Sequence, residues 1–438
     1  MKTAYWNAKC EKVSHFNWST KVGKGIKLEH RLAAYSIFVF CFFVFLFTIY
    51  IIAERTEKNS QVSPFGVDFG VYYTAGQMVR SGETDDLYNI PVHHAALERI
   101  MDREMPFYLP WMYPPTFLMI VTPFSFLPYT TALVVWLSIT LALALFALFP
   151  LVPKRKSLAL LVVGFPGVLM NLRWGQNGFL NTALLGFGLY FLESNPVLAG
   201  LMFGLLTYKP QIALFAFLVL FISKKWRVLS WAVVFTVGFA ILSGVLFGFD
   251  TWVQFVQSFS NSTSGLLDNN WLSIAKVQPS MFINLRLAGI IDSVNYIILG
   301  VIGLVVAGAT GWVWHHTDRI ALKAATMCAG TLLVIPYFLQ YDLMILSIPL
   351  VLLSYDYIEY GRRPIDFLLL LAFWMTPLLD WLLVRWTDVH ICPFILMALI
   401  LSVVMRVKRQ FETEPAMNRI EGKVAEFSDD LYPQRETS

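Results

Sequence analysis

The sequence predicts an all-α, polytopic membrane protein with about 12 transmembrane helices. Three observations predict it. Of its 438 residues, 57% are hydrophobic and only 14% are charged, against about 25% charged in a soluble domain. Apolar runs of spanning length recur along the chain. Basic residues gather in the connections between alternate runs, which is how membrane proteins are oriented.

The same numbers exclude other classes. A mean hydropathy of +0.61 leaves too much apolar surface for one globular core, so lipid must solvate part of it. The formal net charge is +4. Its Lys and Arg lie beside apolar runs rather than in a groove-forming patch, so nucleic acid is not an expected partner. Cys10, Cys41, Cys328 and Cys392 form no CxxC pair and no metal spacing, which leaves them as packing residues. The first long run, from Leu32, suits a spanning helix rather than a short cleaved signal. Ahead of it, Lys9, Lys12, Lys21, Lys24, Lys27 and Arg31 mark residues 1–31 as a basic cytoplasmic arm.

In order, the predicted helices are 32–53, 114–149, 157–170, 179–193, 196–208, 210–222, 228–249, 287–314, 320–338, 342–355, 365–383 and 390–406, with residues 407–438 a polar cytoplasmic tail. The 114–149 run is too long for one span, and Pro123 and Pro128 break it. With the N-terminus inside, the inner connections include Lys154-Arg155-Lys156, Lys224-Lys225-Trp226-Arg227, His315 to Arg319, and Gly361-Arg362-Arg363. All are basic, and both termini fall inside. Only the short turn Glu193 to Pro196 departs from the rule. Two outer connections, 54–113 and 250–286, are long enough to suggest function. The first contains two helix-like stretches, Asp68–Ser81 and Val92–Met101, amphipathic enough to lie at the outer interface.

Polar and aromatic residues collect in these outer segments. Asp68 stands among Phe69, Tyr72 and Tyr73. A carboxylate near apolar surface is a potential general base, and it could equally cap the helix that follows. Tyr113-Pro114-Pro115 suits a helix start with an interfacial aromatic belt. Arg173, Gln176 and Asn177 lie in a turn that two glycines would explain alone, yet amides suit hydroxyl-rich ligands and arginine suits phosphate. Lys209, in Lys209-Pro210-Gln211, runs against the positive-inside trend. It either binds an anion or snorkels to the interface. The 250–286 connection carries Asp268-Asn269-Asn270-Trp271 and Ser280. Tyr341-Asp342 sits at a helix mouth, where the aspartate could serve as a cap.

The order of Asp68 with Tyr72-Tyr73-x-Ala75-Gly76, Gly82, Leu87-Tyr88, Tyr113-Pro114-Pro115, Gly175-Gln176-Asn177, Lys209-Pro210-Gln211, Ser280 and Tyr341-Asp342 resembles the bacterial polyprenol-phosphate-mannose-dependent mannosyltransferases, glycosyltransferase family 87 of the GT-C superfamily. The resemblance runs from about residue 60 to 345, and rests on motif order. It implies a GT-C membrane domain over residues 32–406, in a bacterial inner membrane with an extracytoplasmic site. It implies inverting transfer of mannose from a polyprenyl-phosphate donor to a glycolipid or glycan hydroxyl. Asp68 would be the base. Lys209 and Arg173 would steady the leaving phosphate, and Gln176, Asn177 and Gln211 would meet sugar hydroxyls. Tyr72, Tyr73, Tyr113 and Tyr341 would shape the pocket, with Ser280 and Asp342 among the substrate-binding residues. Some GT-C members need a divalent cation. No close carboxylate pair follows Asp68 except Asp85-Asp86 in a turn, so no metal is expected. The alternative class, a lipid-linked sugar flippase, would place ionisable residues through the membrane depth, where few occur here.

Overall fold

A computed structural model of the chain describes residues 28–56, 65–105, 109–265 and 275–410. Most of the basic arm, Cys10, Asp268 to Trp271 and residues 411–438 of the tail lie outside the described residues. Helices and turns make up the rest, with no strand among the described residues.

The first helix, α1 (Leu28–Thr56), begins four residues before the expected span. It turns Tyr35, Phe38, Phe42 and Phe45 outward, as an apolar helix at the edge of a membrane bundle must. α2 (Val67–Ser81) and α3 (Ile90–Met101) occupy the expected stretches. α2 is not a surface helix, however: its residues from Phe69 to Gly76 are buried. It is covered by α3 and by the Pro115–Phe126 segment, a string of short helical turns. Pro128 caps α4 (Tyr129–Leu148), so the prolines do divide the long run.

The next elements are short. Lys156–Val162 and α5 (Gly167–Trp174) form one pair bent by 55°, with Pro166 at the break. α6 (Gly178–Phe191), α7 (Pro196–Leu205) and α8 (Pro210–Ile222) follow. Then come α9 (Trp226–Phe247), α10 (Asp250–Gly265), α11 (Met281–Leu287) and α12 (Asp292–His316). The predicted 287–314 run is therefore essentially α12, which begins five residues later, with Leu287 closing α11. α13 (Ile320–Val334) leads through a 3-10 segment, Gln340–Leu346, into α14 (Ser347–Tyr360). α15 (Pro364–Thr387) and α16 (392–410) complete the bundle, so the tail begins inside a helix rather than at 407.

Among the described residues, six helices, or seven counting the bent pair, are long and apolar enough to cross a membrane. That is fewer than the twelve predicted. The difference lies in the interior. α13 has 15 residues and is buried on every side, as a helix apolar all round should be. At 1.5 Å per residue it is about 22 Å long, short of a 30 Å hydrocarbon layer.

Charge is segregated along the bundle. Arg319 and Arg406 both bond Asp356, and Arg363 and Arg406 both bond Asp366. Arg155 joins Glu29 and Glu359 at 3.0 and 2.7 Å. Thus basic connections far apart in sequence converge at one end. α13 carries the chain from Arg319 there to the Pro336–Asp342 segment at the other end, where the remaining polar motifs meet.

Candidate active site

The site is built on the turn between α5 and α6. Gly175 ends α5 with φ +71°, a left-handed conformation that glycine adopts without strain. Its N–H bonds back to the Asn171 carbonyl at 2.8 Å. The chain reverses there, and Gln176 and Asn177 face α2. Buried Asn171 ties the turn down. Its Nδ2 donates to the Tyr341 carbonyl at 3.0 Å, and its Oδ1 accepts from the Gly178 N–H at 2.8 Å. A Cβ on Gly178 would come within 2.4 Å of Asn171 Oδ1 and 2.6 Å of the Tyr341 carbonyl oxygen. Gly178→Ala is therefore expected to destabilise the protein by about 1–3 kcal/mol through overpacking. Thermal unfolding checks it, and a wild-type transition would show that the turn can yield.

Asp68 stands at the second position of α2. It does not cap that helix: the N-cap is Gly66, with no side-chain capping bond. Instead Gln176 Nε2 donates to Asp68 Oδ2 at 2.7 Å. Asp68 is half-buried. Burial raises its pKa from 3.8 to about 6, against the opposing pull of the Gln176 bond and the positive charges of Arg173 and Lys209. The carboxylate is thus poised near neutrality, where a general base works best.

Behind it lies a polar cluster sealed by aromatic rings. Gln176 Oε1 accepts from the Tyr72 hydroxyl and from the Asn177 N–H at 3.2 Å. Asn177 Nδ2 donates to the Tyr72 and Tyr113 hydroxyls at 3.1 and 2.9 Å. Lys209 Nζ donates to Asn177 Oδ1 at 3.2 Å and to Asp342 Oδ1. Tyr72 meets Tyr113 and Phe117 edge to face, with ring centroids 5.4 and 5.1 Å apart. Phe117 stacks on Tyr208 at 4.6 Å. Burial raises the pKa of the Tyr72 and Tyr113 hydroxyls, so they stay protonated donors.

The sequence-predicted residues divide sharply. Asp68, Tyr72, Tyr113, Gln176, Asn177, Lys209 and Asp342 form one connected cluster. Tyr341 joins through its ring, 5.0 Å from Lys209 Nζ. Arg173 is half-buried nearby, with its guanidinium 4.9 Å from the Trp174 ring centroid. Lys209 does not snorkel: it is 3% exposed and ion-paired. Asp342 does cap its segment, accepting from the Leu339 N–H at 3.2 Å, while also holding Lys209.

Three residues lie apart. Tyr73 bonds the Leu127 carbonyl at 2.8 Å. Ser280 caps α11 and bonds the Pro336 carbonyl at 2.6 Å. Gln211 is exposed in the first turn of α8. Conversely, Asn171, Asn181 and Tyr208 were missed. Asn181 Nδ2 donates to Asn177 Oδ1 at 3.3 Å and its own oxygen accepts from Tyr208. The i, i+4 spacing of Asn177 and Asn181 on one helix face was the available signal.

Among the described residues, no three His, Cys, Asp or Glu side chains converge. A divalent cation takes carboxylate oxygens free of other cations. Here Lys209 neutralises Asp342, Gln176 takes one oxygen of Asp68, and Asp85 and Asp86 are exposed in a separate turn.

A family model described as glycosyltransferase family 87 matches residues 111–336, just over half of the chain. It includes Tyr113, Arg173, Gln176, Asn177, Lys209, Gln211 and Ser280. Asp68, Tyr72, Tyr73, Tyr341 and Asp342 flank it. No curated protein and no solved structure matches the chain.

Proposed function

The chain belongs to glycosyltransferase family 87, and from that premise we propose that this membrane glycosyltransferase moves mannose from a polyprenyl phosphate to an acceptor hydroxyl at the extracytoplasmic face. The observation that carries this reading is the state of Asp68. Its pKa is raised to about 6, and Gln176 takes one carboxylate oxygen and leaves the other for an acceptor hydroxyl.

In the proposed step, Asp68 Oδ1 takes the proton of the acceptor hydroxyl. The acceptor oxygen forms a bond to the anomeric carbon while the bond from that carbon to the phosphate oxygen breaks. Polyprenyl phosphate leaves with the electron pair, and the single displacement inverts the centre. Lys209 is already neutralised by Asp342. Arg173, half-buried and close enough to lower the pKa of Asp68, is a second cation at the site that would steady the departing phosphate. The polar end of the bundle opposes the convergent Arg155, Arg319, Arg363 and Arg406, and by the positive-inside rule that end is extracytoplasmic.

The test is transfer by the purified protein in lipid, with polyprenyl-phosphate mannose as donor and membrane extract as acceptor. Labelled mannose should enter the extract. Movement of the donor lipid between leaflets without transfer would favour a flippase instead. The raised pKa also sets the pH dependence. A base must be deprotonated, so kcat/KM should fall tenfold per pH unit below about pH 6. A rate unchanged from pH 7 down to about pH 4.5, well past that value, would remove Asp68 as base.

A further inference from the structure

The hydrogen bonds that lead from Lys209 to Asp68 run one way. Two donors in the cluster have no alternative role. Lys209 Nζ cannot accept, so the Asn177 atom 3.2 Å from it is the amide oxygen. Asn177 Nδ2 then faces the Tyr72 and Tyr113 hydroxyls. The Asn177 backbone N–H cannot accept either, so the Gln176 atom 3.2 Å from it is also an amide oxygen. Tyr72 gives its proton to that same oxygen and accepts from Asn177. With its oxygen occupied on this side, Gln176 can only turn Nε2 to Asp68. Donation therefore runs from Lys209 through Asn177 and Tyr72 to Gln176 and ends on the Asp68 carboxylate.

Resting on the proposed role of Asp68, we infer that Gln176 is a positioning residue, locked in one orientation by this one-way chain, that aims the Asp68 carboxylate and holds it ready to accept a proton. Gln176 is not a sugar ligand. Its Oε1 accepts twice within the protein, one Nε2 hydrogen goes to Asp68, and it is 4% exposed. A fixed donor to the carboxylate favours its charged form. The charged and titratable groups around Asp68 are Arg173 on α5, Lys209 ahead of α8, Tyr72 on α2, and Tyr113 and Tyr341 from their own segments. Arg173 and Lys209 act on Asp68 by charge, whereas Gln176 donates to it directly.

The experiment measures thermal unfolding against pH for the wild type, Gln176→Leu and Tyr72→Phe, each with and without Asp68→Asn. The pH at which Asp68→Asn stops changing the melting temperature further reports Asp68 ionisation in the folded protein, with no substrate present. In the wild type the effect should grow from pH 3.8 and level off near pH 6. In Gln176→Leu the levelling point should move up by about one pH unit. Tyr72→Phe keeps the packing, and its levelling point should move the same way by less. Levelling points unchanged in both variants would overturn the proposal. Transfer from polyprenyl-phosphate mannose gives a second readout: Gln176→Leu should lower kcat about tenfold and leave KM within about twofold. A raised KM with an unmoved pH profile would make Gln176 a substrate ligand and overturn it as well. If the wild type fails to use this donor, the donor proposal fails while the melting titration still decides the role of Gln176.

Discussion

Asp68→Asn should abolish transfer, lowering kcat by about 10²–10⁴-fold, while the protein folds at least as well as the wild type. The carboxamide keeps the shape of the side chain and cannot take a proton. The stability half follows from the sign of the linkage. The folded-state pKa of about 6 lies above the ordinary 3.8, so the folded protein holds this proton more tightly than the unfolded chain does. The stability associated with the protonated group is complete below pH 3.8 and is lost as pH rises through about 6. Above pH 6 the ionised group burdens the fold, and Asn removes that burden. A melting temperature at pH 7.5 equal to or above the wild type, alongside lost transfer, is the expected pair of results. Lost transfer with a lowered melting temperature would show only a damaged protein.

Lys209→Met should cost stability heavily, because it breaks a buried ion pair. Lys209 and Asp342 are 3% and 2% exposed and bond each other. Removing the lysine leaves a carboxylate buried without its counter-charge, a loss of about 3–5 kcal/mol. The lysine also holds Asn177, so the variant loosens the chain that ends on Asp68. Pairing the substitution with Asp342→Asn removes the stranded charge and should recover most of the stability. Denaturation of the two variants checks this. A single variant as stable as the wild type would mean that Asp342 finds water or another donor. A double variant no better than the single would place the cost in packing instead.

Helices with a lipid face were legible in the sequence. Tyr129–Leu148 and Asp292–His316 are long, apolar and bounded by prolines or charge, and their boundaries fell close to expectation. The internal helices were less legible because composition alone does not reveal what surrounds a helix. Ile320–Val334 counts as a span on composition, yet it is walled in by protein. The site shows the same boundary between local and distant information. That Asp68, Gln176, Asn177 and Lys209 are unusual in an apolar chain is visible residue by residue. That Lys209 pairs with Asp342, 133 positions later, is set by tertiary packing. Tyr72 and Tyr73 look alike in sequence, but neighbours on a helix point about 100° apart. One reaches Gln176 and the other reaches the Leu127 carbonyl. The resemblance implies Ser280 as a substrate-binding residue. Ser280 caps a helix, which sequence spacing alone does not separate from binding.

The proposal that a sugar leaves a lipid phosphate by one direct displacement at Asp68 is tested most directly by the fate of both halves of the donor. Purified protein is given polyprenyl-phosphate mannose of known anomeric configuration with a membrane-extract acceptor, and the products are resolved by NMR and mass spectrometry. Free polyprenyl phosphate and a mannosyl linkage of configuration opposite to the donor's are predicted. A linkage of retained configuration, or an intact donor with no polyprenyl phosphate released, would contradict it.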